Sequence, residues 1–543
     1  MTNRSGSSRR LSIRIALVAV LGLLLSALVA VPAAVAAPAE ACDRRTNSTY
    51  QKLLECVTLE GVREHQAQFQ KIADANDDPF YPGTRAAGTE GYAQSVEYVA
   101  GLLEDAGYQV TLDEFEFEFT FPSLLQQLTP VNATYETRAL TNSGTGDVTG
   151  NVIPVDINLT PPRATTSGCE ASDFAGLDFS GPNDIALIQR GGPPAPAPVC
   201  TFAVKALNAQ AAGAEAVIIF NQGNTPDREG VVIGTLAPAE LDIPVVGTTF
   251  AAGVALAQPG STARVRVPPT ETRTDVNVIA ELPGKNTDNV VMAGAHLDSV
   301  TEGPGIQDNG SGSAALLETA LMMAKVKPEN TVRFAWWGAE ELGLIGSTAY
   351  VEGLSEAERD RIALYLNYDM IGSPNYIFMV YDADQSTFEA PVPVPPGSTA
   401  IEDLYESYYT LVGEPYDDTA FDGRSDYQAF IEAGIPSGGL FTGAEVPKTT
   451  EQAAIWGGTA GEQFDPCYHL ACDTFDNIDL HALDVNSDLI AFAQLTFAYS
   501  TESANGVPGK KVPGPPVNLP PPAGPEGTFA SPAGGGGPGP IES

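Results

Sequence analysis

Two of the four histidines in the 543-residue chain sit inside acidic motifs, His296 in G-A-H-L-D-S and His469 in D-P-C-Y-H-L-A-C-D. Between them lie Asp308 in I-Q-D-N-G-S-G, the pair Glu340-Glu341 in W-W-G-A-E-E-L-G-L, and Asp369 in L-N-Y-D-M-I-G-S-P. Two imidazoles and four carboxylates are an inventory for two metal ions and a general base. Zinc accepts imidazole nitrogen and carboxylate oxygen, and a catalytic zinc keeps one position open for water. Two such ions roughly 3.5–4 Å apart, bridged by a carboxylate, are a recurring hydrolytic device.

Each residue also has a plainer role. His296 and Asp298 stand two apart on one strand face, so one can ligate while the other orients the imidazole; an isolated H-x-D is more often a surface pair. Asp308 precedes a helix, where an acidic residue commonly caps. Adjacent Glu340 and Glu341 do not both ligate comfortably from a regular element, which suggests one ligand and one base; a carboxylate pair after a strand is otherwise a common helix start. Tyr468 has a hydroxyl that can meet a developing oxyanion, or it simply packs beside a disulfide. His65 and His481 lack acidic partners at useful spacing and read as ordinary helix or surface residues. Asn309-Gly310-Ser311 matches a glycosylation sequon, but a glycan there would block the cleft; this match and those at Asn47, Asn132 and Asn158 are read as chance.

The elements that must position these groups alternate from Val276 onward. Strands are expected at Val276–Leu282, Asn289–Ala295, Thr331–Trp337 and Arg361–Tyr368, and helices at Ser311–Val326 and Leu342–Val351. Such alternation implies a mixed, twisted α/β sheet sandwiched by helices. His296, Glu340-Glu341 and Asp369 each follow a strand, and ligands of open α/β sheets gather beyond the carboxyl ends of strands. Upstream, Thr58–Ala73 and Thr89–Ala106 read as helices, the second closed by Gly107, and Gln109–Phe119 as a strand. Residues 131–268 change character to short Val/Ile runs between Gly/Pro/Asn turns with one helix, Phe202–Ala212, and read as an inserted, mostly β module without ligand spacing. The expected organisation is a signal peptide over 1–37, the first part of the catalytic unit over 38–130, the insert over 131–268, the catalytic unit over 269–505 and a disordered Pro/Gly-rich tail over 506–543.

Arg4, Arg9, Arg10 and Arg14, the apolar run Ile15–Val31 and the small residues Ala34-Val35-Ala36-Ala37 make an export signal, with Arg9-Arg10 admitting a twin-arginine route. A secreted chain with six cysteines can be fully paired, and the positions group as Cys42/Cys56, Cys169/Cys200 and Cys467/Cys472. Other pairings are open in principle, and only the short loop Cys467–Cys472 around His469 is strongly specified. The net charge of −40 disfavours nucleic acid and anionic membrane surfaces as partners and admits bound structural calcium. A monomer, free of the membrane once the signal is removed, is expected.

Taken together, A-H-x-D-S, D-N-G-S-G, G-A-E-E-x-G, N-x-D-M-I-G-S and C-Y-H-x-x-C-D, in this order, closely resemble the family-28 zinc metallopeptidases, in particular the secreted bacterial leucyl aminopeptidases. The resemblance covers about 60–130 and 270–500, and the insert looks like a protease-associated domain placed between the first helices and the catalytic sheet. It implies two zinc ions, one held by His296 and Asp369, the other by Glu341 and His469, with Asp308 bridging. It implies Glu340 as base, Asp298 as partner of His296, Tyr468 steadying the intermediate, and Arg424 of Asp422-Gly423-Arg424-Ser425-Asp426-Tyr427 touching the bound peptide. The activity implied is removal of an N-terminal residue, leucine or another large apolar one, from peptides. Kinship of fold alone does not separate this from carboxypeptidases and glutaminyl cyclases. A carboxypeptidase needs a basic clamp, and only Arg424 is near; a cyclase is expected to work with one zinc, whereas all five ligands stand here. A silent polypeptide-binding protein would not need an intact Glu340.

Overall fold

A computed structural model describes residues 39–194, 199–239 and 241–528. The expected export signal lies outside the described residues. Among these, no helix is long and apolar enough to cross a membrane.

Thr58 and Thr89 each cap a helix by accepting a backbone N–H of the first turn, giving Leu59–Ala75 and Glu90–Ala106, the arrangement expected of threonine at a helix start. Gly107 ends the second at φ 96°, a left-handed angle that glycine takes without a side-chain penalty. Strand β1 (Gln109–Phe119) follows, with Phe115, Phe117 and Phe119 buried and the acidic residues between them exposed.

The chain then builds a second sheet from β2 (Leu124–Thr129), β3 (Ala133–Tyr135), β4 (Thr137–Ala139), β5 (Gly146–Val155), β6 (Ile185–Gln189), β7 (Ala216–Phe220), β8 (Val245–Thr248) and β9 (Thr262–Val267). Its order is β3-β2-β9-β5-β6-β7-β8-β4, with the helix Phe202–Ala212 against it. β10 (Glu271–Leu282) returns to the first sheet and pairs antiparallel with the whole of β1, from Gln109 opposite Glu281 to Phe119 opposite Glu271. The insert therefore sits inside the first hairpin of the catalytic sheet rather than between the helices and the sheet. Local sequence cannot reveal this, because a strand's periodicity reports which face is buried and not which strand it joins.

β11 (Asn286–His296), β12 (Asn330–Trp337), β13 (Ile362–Tyr368), β14 (Met379–Tyr381), β15 (Asp417–Thr419) and β16 (Ser437–Phe441) complete the sheet in the order β1-β10-β12-β11-β13-β16-β14-β15. The central block β12-β11-β13-β16 is parallel. Its residues alternate between two cores. Val291, Ala293, Val332, Phe334, Trp336, Leu364 and Leu366 face the helices Leu59–Ala75, Gly310–Met323 and Leu480–Tyr499. Met292, Ala335, Trp337 and Tyr365 face Ile345–Gly353 and Tyr427–Glu432. Both faces being covered is why these strands read as nearly continuous apolar runs.

The Pro/Gly-rich tail departs from expectation as far as Thr528. Ala523 donates to Thr410 Oγ1, Gly524 to the Tyr416 hydroxyl and Gly527 to Asp417 Oδ1. These partners on the catalytic unit order a composition that lacks a core of its own; the remainder of the tail lies outside the described residues.

Candidate metal centre

All four parallel strands end on one side, and three deliver acidic or imidazole groups there. His296 is the last residue of β11, Asp369 follows β13 directly, and Glu340 and Glu341 occupy the turn after β12. That turn is not a helix start. Ala339 and Leu344 take left-handed angles and the helix begins only at Ile345. Asp308 stops one residue short of the capping position: Asn309 is the cap, accepting from Gly312 N and Met370 N and donating Nδ2 to the Tyr368 carbonyl. A Cβ on Gly312 would stand 2.2 Å from the same carbonyl, so the last glycine of D-N-G-S-G lets the helix start press against the end of β13. His469 comes from the loop closed by Cys467–Cys472, its ring stacked on Tyr468 at 3.8 Å.

Asp308 divides its carboxylate between the two imidazoles, Oδ1 at 3.3 Å from His296 Nε2 and Oδ2 at 3.2 Å from His469 Nε2. Asp369 Oδ1 is 3.2 Å from His296 Nε2 and Glu341 Oε2 is 3.1 Å from His469 Nε2. Two atoms bound to one tetrahedral zinc at about 2.0–2.1 Å stand roughly 3.3 Å apart, so both triads have the spacing of ligands around an ion. The Nε2 atoms of His296 and His469, both oxygens of Asp308, Glu340 and Glu341, and Asp369 Oδ1 are buried without hydrogen-bond partners. Orphaned polar atoms in such number are costly unless something else occupies the gap. The donor set suits zinc. Glu340 stands outside these two triads, its Oε2 4.0 Å from His296 Nε2.

The electrostatics agree. Burial, with Asp369, Glu341 and Asp426 nearby, pushes Glu340 well above the usual carboxylate range, against the pull of His296. Burial likewise raises Glu341 and Asp426 to about 7. Burial works to raise Asp308 as well, but His296 and His469 hold it low. Burial tends to neutralise His469, yet Glu341 and Asp308 lift it to about 11. This much buried negative charge invites divalent cations in place of protons.

The supporting contacts are partly new. Asp298 lies beside His296, its backbone carbonyl 3.2 Å and its Oδ1 3.6 Å from Nδ1, and its carboxylate also accepts the backbone N–H groups of Glu340 and Glu341. Arg424 pairs with Glu445 at 2.8 Å and donates to the Tyr468 hydroxyl at 3.3 Å. Sequence reasoning missed four contributors. Ser425 donates to Asp369 Oδ2, and Asp473 accepts from Gln307 N and Asp308 N. Asp426 is buried beside the centre. Arg85 is buried and donates to the carbonyls of Leu297, Pro304 and Gly305. Asp426 and Asp473 lay within the motifs, but nothing local marks Arg85. The two spare histidines do have acidic partners, brought by folding: His65 Nε2 is 3.4 Å from Glu318 and His481 Nε2 is 3.0 Å from Glu414.

The Peptidase family M28 model matches residues 277–494 and the PA domain model residues 148–256. An aminopeptidase of Pseudomonas aeruginosa is 47% identical over 465 residues, 84% of this chain and 84% of the relative. A probable lipoprotein aminopeptidase, LpqL, of Mycobacterium tuberculosis is 45% identical over 462 residues, 83% and 87% of the two chains. The solved structure of BSAP, a zinc aminopeptidase from Bacillus subtilis, is similar with a TM-score of 0.59 at 26% identity, covering 80% of this chain and 94% of that one. The chain belongs to peptidase family M28. The fold, the centre and these relatives make it a metallo-aminopeptidase carrying an inserted PA domain.

Proposed function

We propose that the mature protein is a secreted dinuclear zinc aminopeptidase that removes an N-terminal leucine or similar large apolar residue from peptides. The reading rests above all on Asp308, whose two oxygens are shared between two imidazole-carboxylate sets. His296 and Asp369 would hold one ion and Glu341 and His469 the other, with Asp308 shared between them. When bound, the ions acidify a water and polarise the scissile carbonyl. Glu340 takes the water's proton and returns it to the leaving amine. The Tyr468 hydroxyl, raised by burial and so protonated, donates to the developing oxyanion while accepting from Arg424. Arg424 thus acts on the substrate through Tyr468 as well as by lining the cleft. Glu340 and Asp369 hold the free α-ammonium, and the side chain removed with it is a large apolar one.

The insert supplies no catalytic group in this reading. Arg138 of β4 pairs with Glu302, in the loop between Asp298 and Asp308, so the module borders the cleft and restricts or recruits longer peptides. Three disulfides fit an oxidising compartment. One relative is described as a lipoprotein, but Cys42 here is bonded to Cys56, and we place the mature chain free outside the cell as a monomer. The deciding assay compares leucine p-nitroanilide with its N-acetyl derivative. Only the free amine should be cleaved; equal turnover, or release of residues from the C-terminus of a peptide, defeats the aminopeptidase direction.

A further inference from the structure

Beneath the metal centre, five buried side chains form one line of hydrogen bonds. Trp337 Nε1 donates to the Tyr365 hydroxyl at 2.8 Å, Tyr365 to Asn367 Oδ1 at 3.1 Å, Asn367 Nδ2 to Ser425 Oγ at 2.8 Å, and Ser425 to Asp369 Oδ2 at 2.6 Å. The line starts at the last residue of β12 and ends just past β13, crossing over β11, which lies between them in the sheet. Gly294 of β11 makes the crossing possible, because a Cβ there would collide with both the Tyr365 hydroxyl and Trp337 Nε1. The Tyr365 ring is itself held, stacked at 3.8 Å on Phe430.

The two ends set the direction of every bond. An indole N–H only donates and a carboxylate only accepts. Trp337 therefore takes a lone pair of the Tyr365 oxygen and leaves its proton for Asn367. The amide, accepting at Oδ1, presents Nδ2 to Ser425, whose own proton is left for Asp369. Reversing any link would strand a buried donor, at a cost well above that of an ordinary hydrogen bond. Burial, with Asp426 nearby, pushes the Tyr365 hydroxyl well above its usual range, so it stays protonated. Asp369 is thereby held at Oδ2, while its Oδ1, which has no hydrogen-bond partner, stands 3.2 Å from His296 Nε2.

We propose that Trp337, Tyr365 and Asn367 are positioning residues for the metal centre, acting through Ser425 to present Asp369 Oδ1 to the ion shared with His296. The inference rests on the reading of Asp369 as a zinc ligand. Hydrogen bonds in series polarise one another, which makes Ser425 a stronger donor than an isolated hydroxyl. Outer partners of this kind are worth about 10–100-fold in metal affinity. Trp337 stands three residues before Glu340, so the same line ties the strand that delivers the proposed base to the strand that delivers Asp369.

The test withdraws zinc from the loaded, full-length mature protein with a chromophoric chelator. Tyr365→Phe, which keeps the stacked ring, should weaken one zinc ion about 10–100-fold. Tyr350→Phe is the control: it removes a hydroxyl from the same apolar cluster, one that accepts from Arg333 and lies off the line, and should hold zinc as the wild type does whatever its melting temperature. Ser425→Ala should weaken the same ion, and Tyr365→Phe/Ser425→Ala should be no weaker than Ser425→Ala alone, because one residue acts through the other. Wild-type zinc affinity in Tyr365→Phe, equal losses in Tyr365→Phe and Tyr350→Phe, or multiplied losses in the double variant overturns the proposal. Asp369→Asn separates it from the reading beneath it: if that variant holds both ions as the wild type does, Asp369 is no ligand and both fall. Should Tyr365→Phe not fold, Asn367→Ala cuts the next link and takes its place in the same cycle, judged by the same outcomes.

Discussion

Asp298 accepts the backbone N–H of Glu340 at 3.1 Å, so the carboxylate that faces the His296 imidazole also fixes the turn from which the proposed base projects. One side chain thereby registers the end of β11 against the end of β12. Asp298→Asn leaves only one acceptor oxygen for two backbone donors and a weaker partner for the imidazole. Loss of roughly 10–100-fold in activity or zinc affinity is expected, read by kcat and by zinc content after dialysis. A variant that keeps wild-type kcat and zinc would show that the contact is only packing.

The adjacent acids should separate cleanly. Glu340→Gln should retain both zinc ions and lose about 10²–10⁴-fold in kcat, whereas Glu341→Gln should lose zinc first. Metal analysis alongside kinetics checks both, and exchanged phenotypes would reverse the assignment.

Removing the metal tests the count. Zinc saturation should give two ions per chain, and chelation should lower the melting temperature, because the folded state then loses the free energy of metal binding and only protons on the imidazoles and carboxylates balance the buried charge. Reconstituted protein holding a single tight ion would defeat the dinuclear arrangement.

Tyr468→Phe removes only the hydroxyl. With its ring still stacked on His469, kcat should fall about 10²–10³-fold, the usual cost of one oxyanion donor, with KM little changed. Arg424→Lys should weaken kcat less, since its guanidinium acts through that hydroxyl. A tyrosine variant altered only in KM would place the hydroxyl on bound substrate instead.

The proposed ligands were legible in the sequence because each lies just after a strand, just before a helix as Asp308 does, or inside a disulfide loop, where local periodicity and composition give its position. Partners joined only by folding were not. Nothing near His65 announces Glu318, and nothing near Arg85 announces the three carbonyls it holds. The tail misled for a related reason: its composition cannot bury a core, but Tyr416 and Asp417 supply partners that the segment itself lacks.

The hairpin of β1 and β10 has, in effect, a whole domain for its turn. At ordinary synthesis rates β1 emerges on the order of ten seconds before its partner, leaving Phe115, Phe117 and Phe119 uncovered on a nascent chain. The insert has its own sheet and its own core, and once folded it brings Phe119 and Glu271 side by side, turning a long loop closure into a short one. Its first service to the peptidase would come before any substrate is met, as an internal jig for assembly.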